Sequence, residues 1–345
     1  MTTKRIGILT GGGDCPGLNA VIRALVRRAI DFENYEMLGI RYGWRGLLDG
    51  DTIPLTRDMM RGILHRGGTI LGTSRTNLYK DATTEKKAKA TLSKLGLHAI
   101  VAIGGEDTLG VAKRLTDDGY RIVGVPKTID NDLKGTDATF GFDTAVQIAT
   151  EALDRLHTTA ESHDRVLVCE VMGRHSGWIA TYAGIAGGAD AILVPEYPIN
   201  LDDICDIIRR RHDMGIRFSI ICVAEGAKLK GGDEVLSSER RDEFGHVTLG
   251  GIGEVLAKQI EQKTGYSTRV TVLGHIQRGG TPTAYDRVLA TRYGVAAMNA
   301  IHANRFGVMV ALKGNDIVEV PLAQVAGGTR TIDPELYQVA KIFWG

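Results

Sequence analysis

The sequence IGILTGGGDCPGLNAVIRALVRRAI occupies residues 6–30 and joins an apolar run, a glycine-rich turn and an amphipathic segment. The run 6–9 is short and apolar, which is typical of a buried strand. From Leu18 to Ile30 the apolar residues recur at helical spacing, while Arg23 and Arg27 fall on another face. A strand, a tight turn and a helix in this order favour an α/β fold.

Short apolar runs alternate with longer helical segments along the rest of the chain. Runs rich in β-branched residues predict further strands at 99–103, 121–125, 166–171, 218–224, 269–273 and 308–312. A helical pattern at Leu109–Asp118 ends before Gly119. Because buried strands alternate with helices, we expect a largely parallel sheet. Ordinary loops near 139–143 and 304–307 are the expected domain boundaries, with more than one crossing between domains.

Length and composition exclude several classes of protein. A chain of 345 residues can form two domains with substantial cores and is too long for a small binding peptide. Lys and Arg total 42 against 41 Asp and Glu, so no overall charge favours nucleic acid or a membrane surface. No stretch of about 18 apolar residues occurs, and only a short apolar run follows the start, so we expect neither a signal peptide nor a membrane span.

The four cysteines, Cys15, Cys169, Cys205 and Cys222, form no CxxC pair and no His-Cys spacing typical of zinc ligands. This pattern argues against a zinc site and a disulfide framework, and a reducing cytoplasm fits it best. The 44 glycines are unusually many beside 8 prolines, so they need an explanation in backbone geometry.

Glycine-rich or polar turns follow three of the predicted strands: GGGDCPG at 11–17, GGEDT at 104–108 and PKTIDND at 126–132. The carboxyl ends of parallel strands meet at one edge of a sheet, so the three turns are expected to converge. Backbone N–H groups in glycine turns can approach an anion, although such glycines also make ordinary tight turns. The first turn is neither a dinucleotide-binding fingerprint, because Pro16 replaces its third glycine, nor a Walker A loop.

The third turn carries two carboxylates, Asp130 and Asp132, one residue apart. One of them could accept a proton from a hydroxyl while the other orients it or supports a metal; the alternative is an Asx-rich turn with solvated carboxylates. Glu106 and Asp107 lie in the neighbouring turn, and together these acids could hold Mg²⁺ between phosphate oxygens.

Cations recur at strand ends beside glycine, which favours phosphate recognition over scattered surface charge. These cations are Arg75, Lys80, Lys127, Arg165, Arg174, Arg269, His275 and Arg278.

Five motifs, in this order and over nearly the whole chain, resemble those of the 6-phosphofructokinase family. They are GGDCPGLN at 12–19, GGEDT at 104–108, PKTIDND at 126–132, MGR at 172–174, and GHIQRGG at 274–280 with Asp286 and Arg287. The resemblance implies two doubly wound, mainly parallel-sheet domains with chain crossovers between them. It also implies a glycolytic enzyme that moves a phosphoryl group to the C1 hydroxyl of fructose 6-phosphate with Mg²⁺, giving fructose 1,6-bisphosphate.

The resemblance assigns parts of the chain to each substrate. The donor-phosphate-binding domain is expected at 1–140 with about 255–305, and the fructose 6-phosphate-binding domain at about 141–254 with 306–345. The protein is expected to be a homo-oligomer, a dimer or a tetramer, with no nucleic-acid or membrane partner.

Residue roles follow from the same resemblance, position by position. Asp130 resembles the general base, with Asp132 supporting it and with Lys127 and Arg174 assisting the transfer. The residues that would bind the sugar phosphate are Thr128, Asp132, Arg165, Met172, Gly173, Arg174, Glu225, Arg269, His275 and Arg278, with Arg165 and Arg269 coming from a neighbouring subunit. The residues that would bind the donor phosphates are Gly13, Arg75, Thr108 and Lys127, and Glu106 would hold the metal.

Two positions bear on the identity of the donor. Family members that use ATP resemble this sequence in the second turn but have glycine at the place of Asp107, where an aspartate adds bulk and negative charge towards the α-phosphate. Lys127 also stands where many ATP-dependent members have glycine, and its ammonium would neutralise pyrophosphate. The prediction is therefore pyrophosphate, with phosphate as co-product in a reversible reaction. ATP is the alternative if Asp107 faces solvent and merely caps a helix.

Regulation and competing functions can also be judged from the sequence. Bacterial ATP-dependent members resemble one another in a basic effector site, and Arg23 and Arg27 match two of its cations. At the positions of its other cations this sequence has His157, Met214 and Ile216. Weak or absent allosteric control is therefore predicted, because an anionic effector would lose most of its charged contacts. A nicotinamide dehydrogenase is disfavoured because the dinucleotide fingerprint is missing. A non-catalytic sugar-phosphate sensor is disfavoured because the acids expected for catalysis are present.

Overall fold

The computed structural model describes residues 3–32, 34–232, 236–241, 243–245, 247–325 and 327–345. Its strands, in chain order, are β1 (Lys4–Thr10), β2 (Tyr35–Ile40), β3 (Thr52–Pro54), β4 (Ala99–Gly104), β5 (Ile122–Pro126), β6 (Val166–Val171), β7 (Ala191–Leu193), β8 (Ser219–Ala224), β9 (Leu236–Arg241), β10 (Val247–Leu249), β11 (Thr268–Val272), β12 (Val308–Lys313) and β13 (Asp316–Pro321). Its helices are α1 (Leu18–Ile30), α2 (Trp44–Asp49), α3 (Ala82–Leu95), α4 (Glu106–Asp117), α5 (Phe142–Ser162), α6 (Trp178–Ala186), α7 (Leu201–Asp213), α8 (Ile252–Thr264), α9 (Ala284–His302), α10 (Leu322–Val325) and α11 (Pro334–Ile342). The segments Asp58–Met60 and Gly274–Arg278 form 3₁₀ turns.

Most strands belong to two sheets. The first sheet has the order β13-β12-β5-β4-β1-β2-β3, and the second has the order β11-β6-β8-β7. All pairs in the second sheet are parallel, as are those linking β12, β5, β4, β1 and β2, whereas β3 and β13 add antiparallel edges. Strands β9 and β10 form a separate antiparallel hairpin. The predicted mainly parallel, doubly wound α/β fold is therefore confirmed.

The central strands are covered on both faces. Every residue of β4, β5, β6 and β8 is buried, as expected for parallel strands between helices. Helix α1 packs along α9, where a Cβ at Gly294 would lie 2.7 Å from the Cβ of Ala24. This close approach of the two helices therefore requires glycine at 294.

The predicted elements are largely present. All seven predicted strands occur, as β1, β4, β5, β6, β8, β11 and β12, and the predicted helix at 18–30 is α1. The other predicted helix differs at its start, because α4 begins at Glu106 rather than Leu109 and has Gly105 as its N-cap. Glu106 and Asp107 therefore lie in the first turn of a helix, where negative charge is favoured by the helix dipole.

Sheet membership differs from the domain division that the sequence suggests. Residues 255–305 are expected with the first sheet, but β11 pairs with β6 in the second. Residues 306–345 are expected with the second sheet, but β12 and β13 extend the first sheet beyond β5. Helix α9 packs on α1, and α11 packs on α6 and β7. The chain thus passes between the two sheets after β5, between β11 and α9, and between α10 and α11.

No helix in the described part of the chain is both long and apolar enough to cross a membrane.

All four cysteines are buried and unpaired. Burial raises the pKa of Cys15 to about 12, so its thiol stays protonated and packs as a small apolar group.

Candidate active site

A cavity of about 940 Å³ lies where the carboxyl ends of the two sheets face each other. On the side of the first sheet it is lined by Gly12, Gly13, Arg75, Gly105, Glu106, Asp107, Thr108, Lys127, Thr128, Asp130 and Asp132. On the side of the second sheet it is lined by Glu170, Val171, Met172, Arg174, His175, Glu225, Leu249, Gly250, Gly251, Val272, Gly274, His275 and Arg278. The three turns that were expected to converge do meet here, since the carboxyl ends of parallel strands share an edge.

All but three of the predicted site residues line this cavity. One exception, Gly173, lies between the lining residues Met172 and Arg174. It has a φ of 138°, and a Cβ there would lie 2.7 Å from the carbonyl oxygen of Ser176. A side chain at 173 would therefore distort the turn that presents its two neighbours.

The other two exceptions, Arg165 and Arg269, stand at the opposite ends of their strands from the cavity. Arg165 precedes β6, and Arg269 is the second residue of β11. Arg269 is exposed, donates to the carbonyl of Thr268 at 2.7 Å and lies 3.8 Å from Glu261. Each strand residue advances the chain by about 3.3 Å, so β6 and β11 separate these arginines from the strand ends at which the cavity lies. Neither arginine is therefore placed to contact a ligand in the cavity of its own chain.

Lys80, another candidate cation, pairs with the β9–β10 hairpin instead of lining the cavity. Its ammonium donates to Glu243 Oε1 at 2.9 Å, and Glu243 Oε2 accepts from the backbone N–H of Asn77 at 2.9 Å. The hydrogen bond to Glu243 raises the pKa of Lys80. The hairpin is thereby fastened to the loop that follows Arg75.

The turn after β5 presents Asp130 and Asp132 to the cavity. Asn131 between them has a φ of 52°, a left-handed conformation that is uncommon outside glycine. Its Oδ1 accepts from the N–H of Thr139 at 3.0 Å, while the N–H of Asp130 donates to Thr128 Oγ1 at 3.1 Å. These bonds fix the turn, so both carboxylates have defined positions.

Burial makes the carboxylates around this turn weaker acids. It raises the pKa of Asp130, an effect that Arg278 and Arg174 partly offset. Burial and the charge of Asp130 raise the pKa of Asp132 to about 7, and that of Glu225 likewise to about 7. Among the described residues, Asp130 Oδ1 is buried with no hydrogen-bond partner. Such a carboxylate is suited to accept a proton from a hydroxyl near neutral pH.

The glycines of the first turn leave room for groups from neighbouring motifs. A Cβ at Gly13 would lie 2.6 Å from Arg278 Nη1, and one at Gly11 would lie 2.5 Å from Thr108 Oγ1. Lys127 Nζ donates to the carbonyl of Gly13 at 2.6 Å. Side chains at these glycines would push the cations and the hydroxyl away, so the turns together form a surface suited to phosphate.

Lys127 lies on this surface with only 3% of its area exposed. Burial lowers the pKa of its ammonium, and the nearby charges of Arg278 and Arg75 lower it further. A buried ammonium is stabilised by a negatively charged ligand, because the ligand replaces the lost hydration. Lys127 is therefore placed to bind a phosphate.

Carboxylates outnumber Lys and Arg along the cavity wall. The carboxylates are those of Glu106, Asp107, Asp130, Asp132, Glu170 and Glu225, and the cations are Arg75, Lys127, Arg174 and Arg278. Phosphate-bearing ligands would add negative charge, so a further cation is needed to balance it. No group of three His, Cys, Asp or Glu side chains in the described ranges forms a metal cluster. This donor set fits Mg²⁺, which takes one or two carboxylates together with water and phosphate oxygens, and the exposed Glu106 can supply one.

Several lining residues were not predicted from the sequence. Glu170 in β6 accepts hydrogen bonds from the N–H groups of Gly251 at 3.1 Å and Gly253 at 2.8 Å, and these bonds cap the start of α8. A carboxylate inside an otherwise apolar strand is the signal that could have identified Glu170. His175 directly follows the MGR motif, and nothing in its spacing marks it as a lining residue.

The fold and the cavity together define a class: doubly wound α/β proteins that bind phosphorylated ligands between the edges of two sheets. A family model described as phosphofructokinase matches residues 5–301. The chain belongs to the phosphofructokinase family.

Individual relatives agree with this family. The chain is 59% identical over 341 residues to the pyrophosphate–fructose 6-phosphate 1-phosphotransferase of Amycolatopsis methanolica, covering 99% of this chain and 100% of that protein. It is 57% identical over 342 residues to the protein of the same name from Streptomyces coelicolor, with the same coverage. ATP-dependent 6-phosphofructokinase 3 of Streptomyces coelicolor is 52% identical over 337 residues, or 98% of this chain and 99% of that protein. Among solved structures, the phosphofructokinase of Pichia pastoris in the T-state has a TM-score of 0.82 at 34% identity, over 94% of this chain and 35% of that one.

Proposed function

We propose that this protein is a cytoplasmic phosphotransferase that moves a phosphoryl group from pyrophosphate to the C1 hydroxyl of fructose 6-phosphate. The products are fructose 1,6-bisphosphate and phosphate, and the reaction is reversible. The observation that carries the reaction class is the cavity, in which the buried Asp130 meets cations and glycine turns from separate segments. Membership of the phosphofructokinase family and the names of the two pyrophosphate-dependent relatives support the substrates.

Asp130 acts as the general base. Its carboxylate accepts the proton of the C1 hydroxyl while the hydroxyl oxygen bonds to a phosphorus of pyrophosphate, and the bond from that phosphorus to the bridging oxygen breaks. Asp132 supports Asp130, since two neighbouring carboxylates raise each other's proton affinity. Lys127 and Arg174 stabilise the charge that moves onto the departing phosphate. Position and charge suffice for this transfer, so no covalent nucleophile is needed.

Fructose 6-phosphate binds on the side of the second sheet. The sugar is held by Thr128, Met172, Gly173, Arg174 and Glu225, and its 6-phosphate by His275 and Arg278. Arg278 also donates to the carbonyl of Asp14 at 3.4 Å, so its guanidinium lies between the sugar side and the donor side. This position allows one cation to contact both substrates.

Arg165 and Arg269 complete the 6-phosphate site from a neighbouring subunit, so the protein is a homo-oligomer. Their placement at the far ends of β6 and β11 supports this role, because it removes them from the cavity of their own chain. Large apolar side chains in β11, in the turn Gly274–Arg278 and at the start of α9 are exposed, as expected of a surface that a second copy covers. They are Val272 at 52%, Ile276 at 60%, Tyr285 at 49% and Val288 at 60%.

Pyrophosphate binds on the side of the first sheet, against Gly13, Arg75, Thr108 and Lys127. Glu106 in the first turn of α4 would hold Mg²⁺ there. The chemistry that Mg²⁺ supplies when bound is neutralisation of charge on the phosphate oxygens. Lys127 contributes a second, fixed positive charge, and this combination suits the compact anion.

Asp107 determines the donor. It is half-buried in the first turn of α4 and is one of the residues that line the cavity. A nucleoside triphosphate would bring an additional phosphate towards this carboxylate, and like charges repel strongly in a partly desolvated site. Overall identity does not separate the two donors, because pyrophosphate-dependent and ATP-dependent relatives are similar over the whole chain.

An assay of the purified protein with fructose 6-phosphate, Mg²⁺ and either pyrophosphate or ATP tests this function. We expect kcat/KM for pyrophosphate to exceed that for ATP by about 100-fold or more. Fructose 1,6-bisphosphate and phosphate should regenerate pyrophosphate. A strong preference for ATP would overturn the donor. Binding of fructose 6-phosphate without turnover on either donor would instead favour the sugar-phosphate sensor.

Weak or absent allosteric control is also expected. Met214 and Ile216 are apolar and exposed by 62% and 37%, at positions where a basic effector site needs cations. His157, at a third such position, forms a hydrogen bond with the carbonyl of Gly187 at 2.7 Å. The rate should therefore depend hyperbolically on fructose 6-phosphate and should not respond to ADP or phosphoenolpyruvate. Sigmoidal kinetics relieved by ADP would contradict this prediction.

A further inference from the structure

The segment between α10 and α11 contacts the catalytic turn. The backbone N–H of Arg330 donates to the carbonyl of Asp132 at 2.7 Å, and its guanidinium Nη1 donates to the carbonyl of Asn131 at 3.3 Å. Beside these bonds, Thr329 and Leu133 form an isolated antiparallel bridge. One residue, Arg330, therefore binds both of the carbonyls that come directly after Asp130 in the chain.

Contacts from other segments hold the backbone of the catalytic turn, in which Asn131 has a left-handed conformation. Asn131 has a φ of 52°. A residue other than glycine keeps a positive φ when the contacts around it hold the backbone in that conformation. Thr139 holds the side chain of Asn131, whereas Arg330 holds its carbonyl. Without the donors from Arg330, the peptide planes of this turn would be less constrained, and the carboxylates of Asp130 and Asp132 would move with them.

Arg330 is itself held in place by neighbouring groups. Its guanidinium lies 4.3 Å from the centroid of the Trp178 ring, and the indole N–H of Trp178 donates to the carbonyl of Arg330 at 3.1 Å. Two residues further on, the N–H of Ile332 donates to Glu196 Oε1 at 3.0 Å, and the same carboxylate accepts from the N–H of Gly177. The segment is thereby fastened to the start of α6, the helix that follows the sugar-binding turn.

The segment also contacts the donor side of the cavity. The N–H of Gly328 donates to Glu106 Oε1 at 3.2 Å. Because Gly328 and Arg330 are two residues apart, one short stretch of chain contacts the carboxylate proposed for the metal, the catalytic turn and the start of α6. Arg330 lies at the centre of this stretch.

We propose that Arg330 is a positioning residue for phosphoryl transfer. It holds the carbonyls of Asn131 and Asp132, and thereby keeps the Asp130 carboxylate aligned with the attacking hydroxyl. Arg330 does not line the cavity, so it acts through the turn and touches neither substrate. The proposal rests on the proposed function, in which Asp130 is the base.

Two substitutions at Arg330 test the proposal. Arg330→Met keeps an unbranched side chain that can pack on Trp178, but it removes the side-chain donor to Asn131. We expect kcat to fall about 10-fold while KM for each substrate changes less than about twofold, because alignment is lost and the binding residues are retained. Arg330→Lys should lower kcat about threefold, since an ammonium can donate but cannot also stack as a planar group. Steady-state kinetics with the donor that the wild type uses measures both effects.

Arg28→Met is the matched control. The guanidinium of Arg28 also lies 4.3 Å from an aromatic centroid, that of Phe32, and donates to Asn299 Oδ1 at 2.8 Å, but Arg28 does not line the cavity. It should keep the wild-type kcat even if its thermal stability falls.

The outcomes separate the positioning role from the proposed function. The positioning role is overturned if the kcat of Arg330→Met lies within twofold of the wild-type value or equals that of Arg28→Met. It is also overturned if the kcat of Arg330→Met is unchanged while its KM is raised. If Arg330→Met does not fold, a wild-type kcat for Arg330→Lys overturns it instead. A wild type that turns over neither donor overturns the proposed function itself, and with it the base that Arg330 supports.

Discussion

Replacing Asp130 with asparagine is expected to lower kcat by about 10²–10⁴-fold and to change the binding of both substrates little. The amide keeps the size and shape of the side chain but cannot accept the hydroxyl proton near neutral pH. In the folded protein, burial raises the pKa of the Asp130 carboxyl, and its Oδ1 has no hydrogen-bond partner within the described ranges. The measurements are kcat for the wild type and the variant, and the dissociation constant of fructose 6-phosphate for each.

Asp137→Asn controls for the loss of an acid close to the same turn. Asp137 is exposed, accepts from the N–H of Gly314 at 2.8 Å and pairs with Lys313 at 3.1 Å. It does not line the cavity, so this variant should keep its turnover. If Asp130 served only to form the turn, Asp130→Asn would alter thermal stability while kcat per folded molecule stayed near the wild-type value. That result would remove Asp130 as the base.

The strands that the sequence predicts best are those covered on both faces. β4, β5, β6 and β8 are continuous apolar runs because helices pack on either side of them. Strand β13 was not predicted, because it is an antiparallel edge strand whose side chains are mostly half-exposed. Strand β7 was not predicted either, because its three residues are too few to show a periodicity.

The start of α4 shows why apolar spacing alone misplaces the end of a helix. The apolar pattern begins at Leu109, but the helix begins three residues earlier with Glu106 and Asp107. Acidic residues are stabilised by the helix dipole in the first turn, which is a signal of charge rather than of hydrophobic period. The misplacement matters for function, because it moves both acids from a loop onto a helix that fixes their direction.

The convergence of the glycine turns was predictable because parallel topology alone brings strand ends together. Contacts between distant segments had no such signal. Arg330 reaches the carbonyl of Asn131 across 199 positions of sequence, and Lys80 reaches Glu243 across 163. In both cases tertiary packing decides what the side chain touches, so the sequence pattern groups Lys80 with the phosphate-binding cations and gives no signal for Arg330.

Replacing Asp107 with glycine is expected to raise kcat/KM for ATP by about 10²-fold or more, while that for pyrophosphate falls by about tenfold or less. Asp107 lines the cavity next to Glu106 and Thr108. A nucleoside triphosphate must place one more phosphate there than pyrophosphate does, and repulsion between like charges costs several kcal/mol in such a site. The substitution removes both the charge and the bulk. The measurement is kcat/KM for each donor in the wild type and the variant.

Further variants separate charge, bulk and helix stability as reasons for the exclusion of ATP. Asp107→Asn keeps the bulk and removes the charge, so it should give most of the gain with ATP if repulsion dominates. Asp203→Gly places glycine in the first turn of α7, away from the cavity, and should lose about 1 kcal/mol of helix stability without changing donor choice. If Asp107→Gly gains no use of ATP, even when combined with Lys127→Gly, the exclusion lies elsewhere in the cavity. If the wild type itself prefers ATP, the Asp107 carboxylate does not repel the nucleotide, and the donor is set by other side chains.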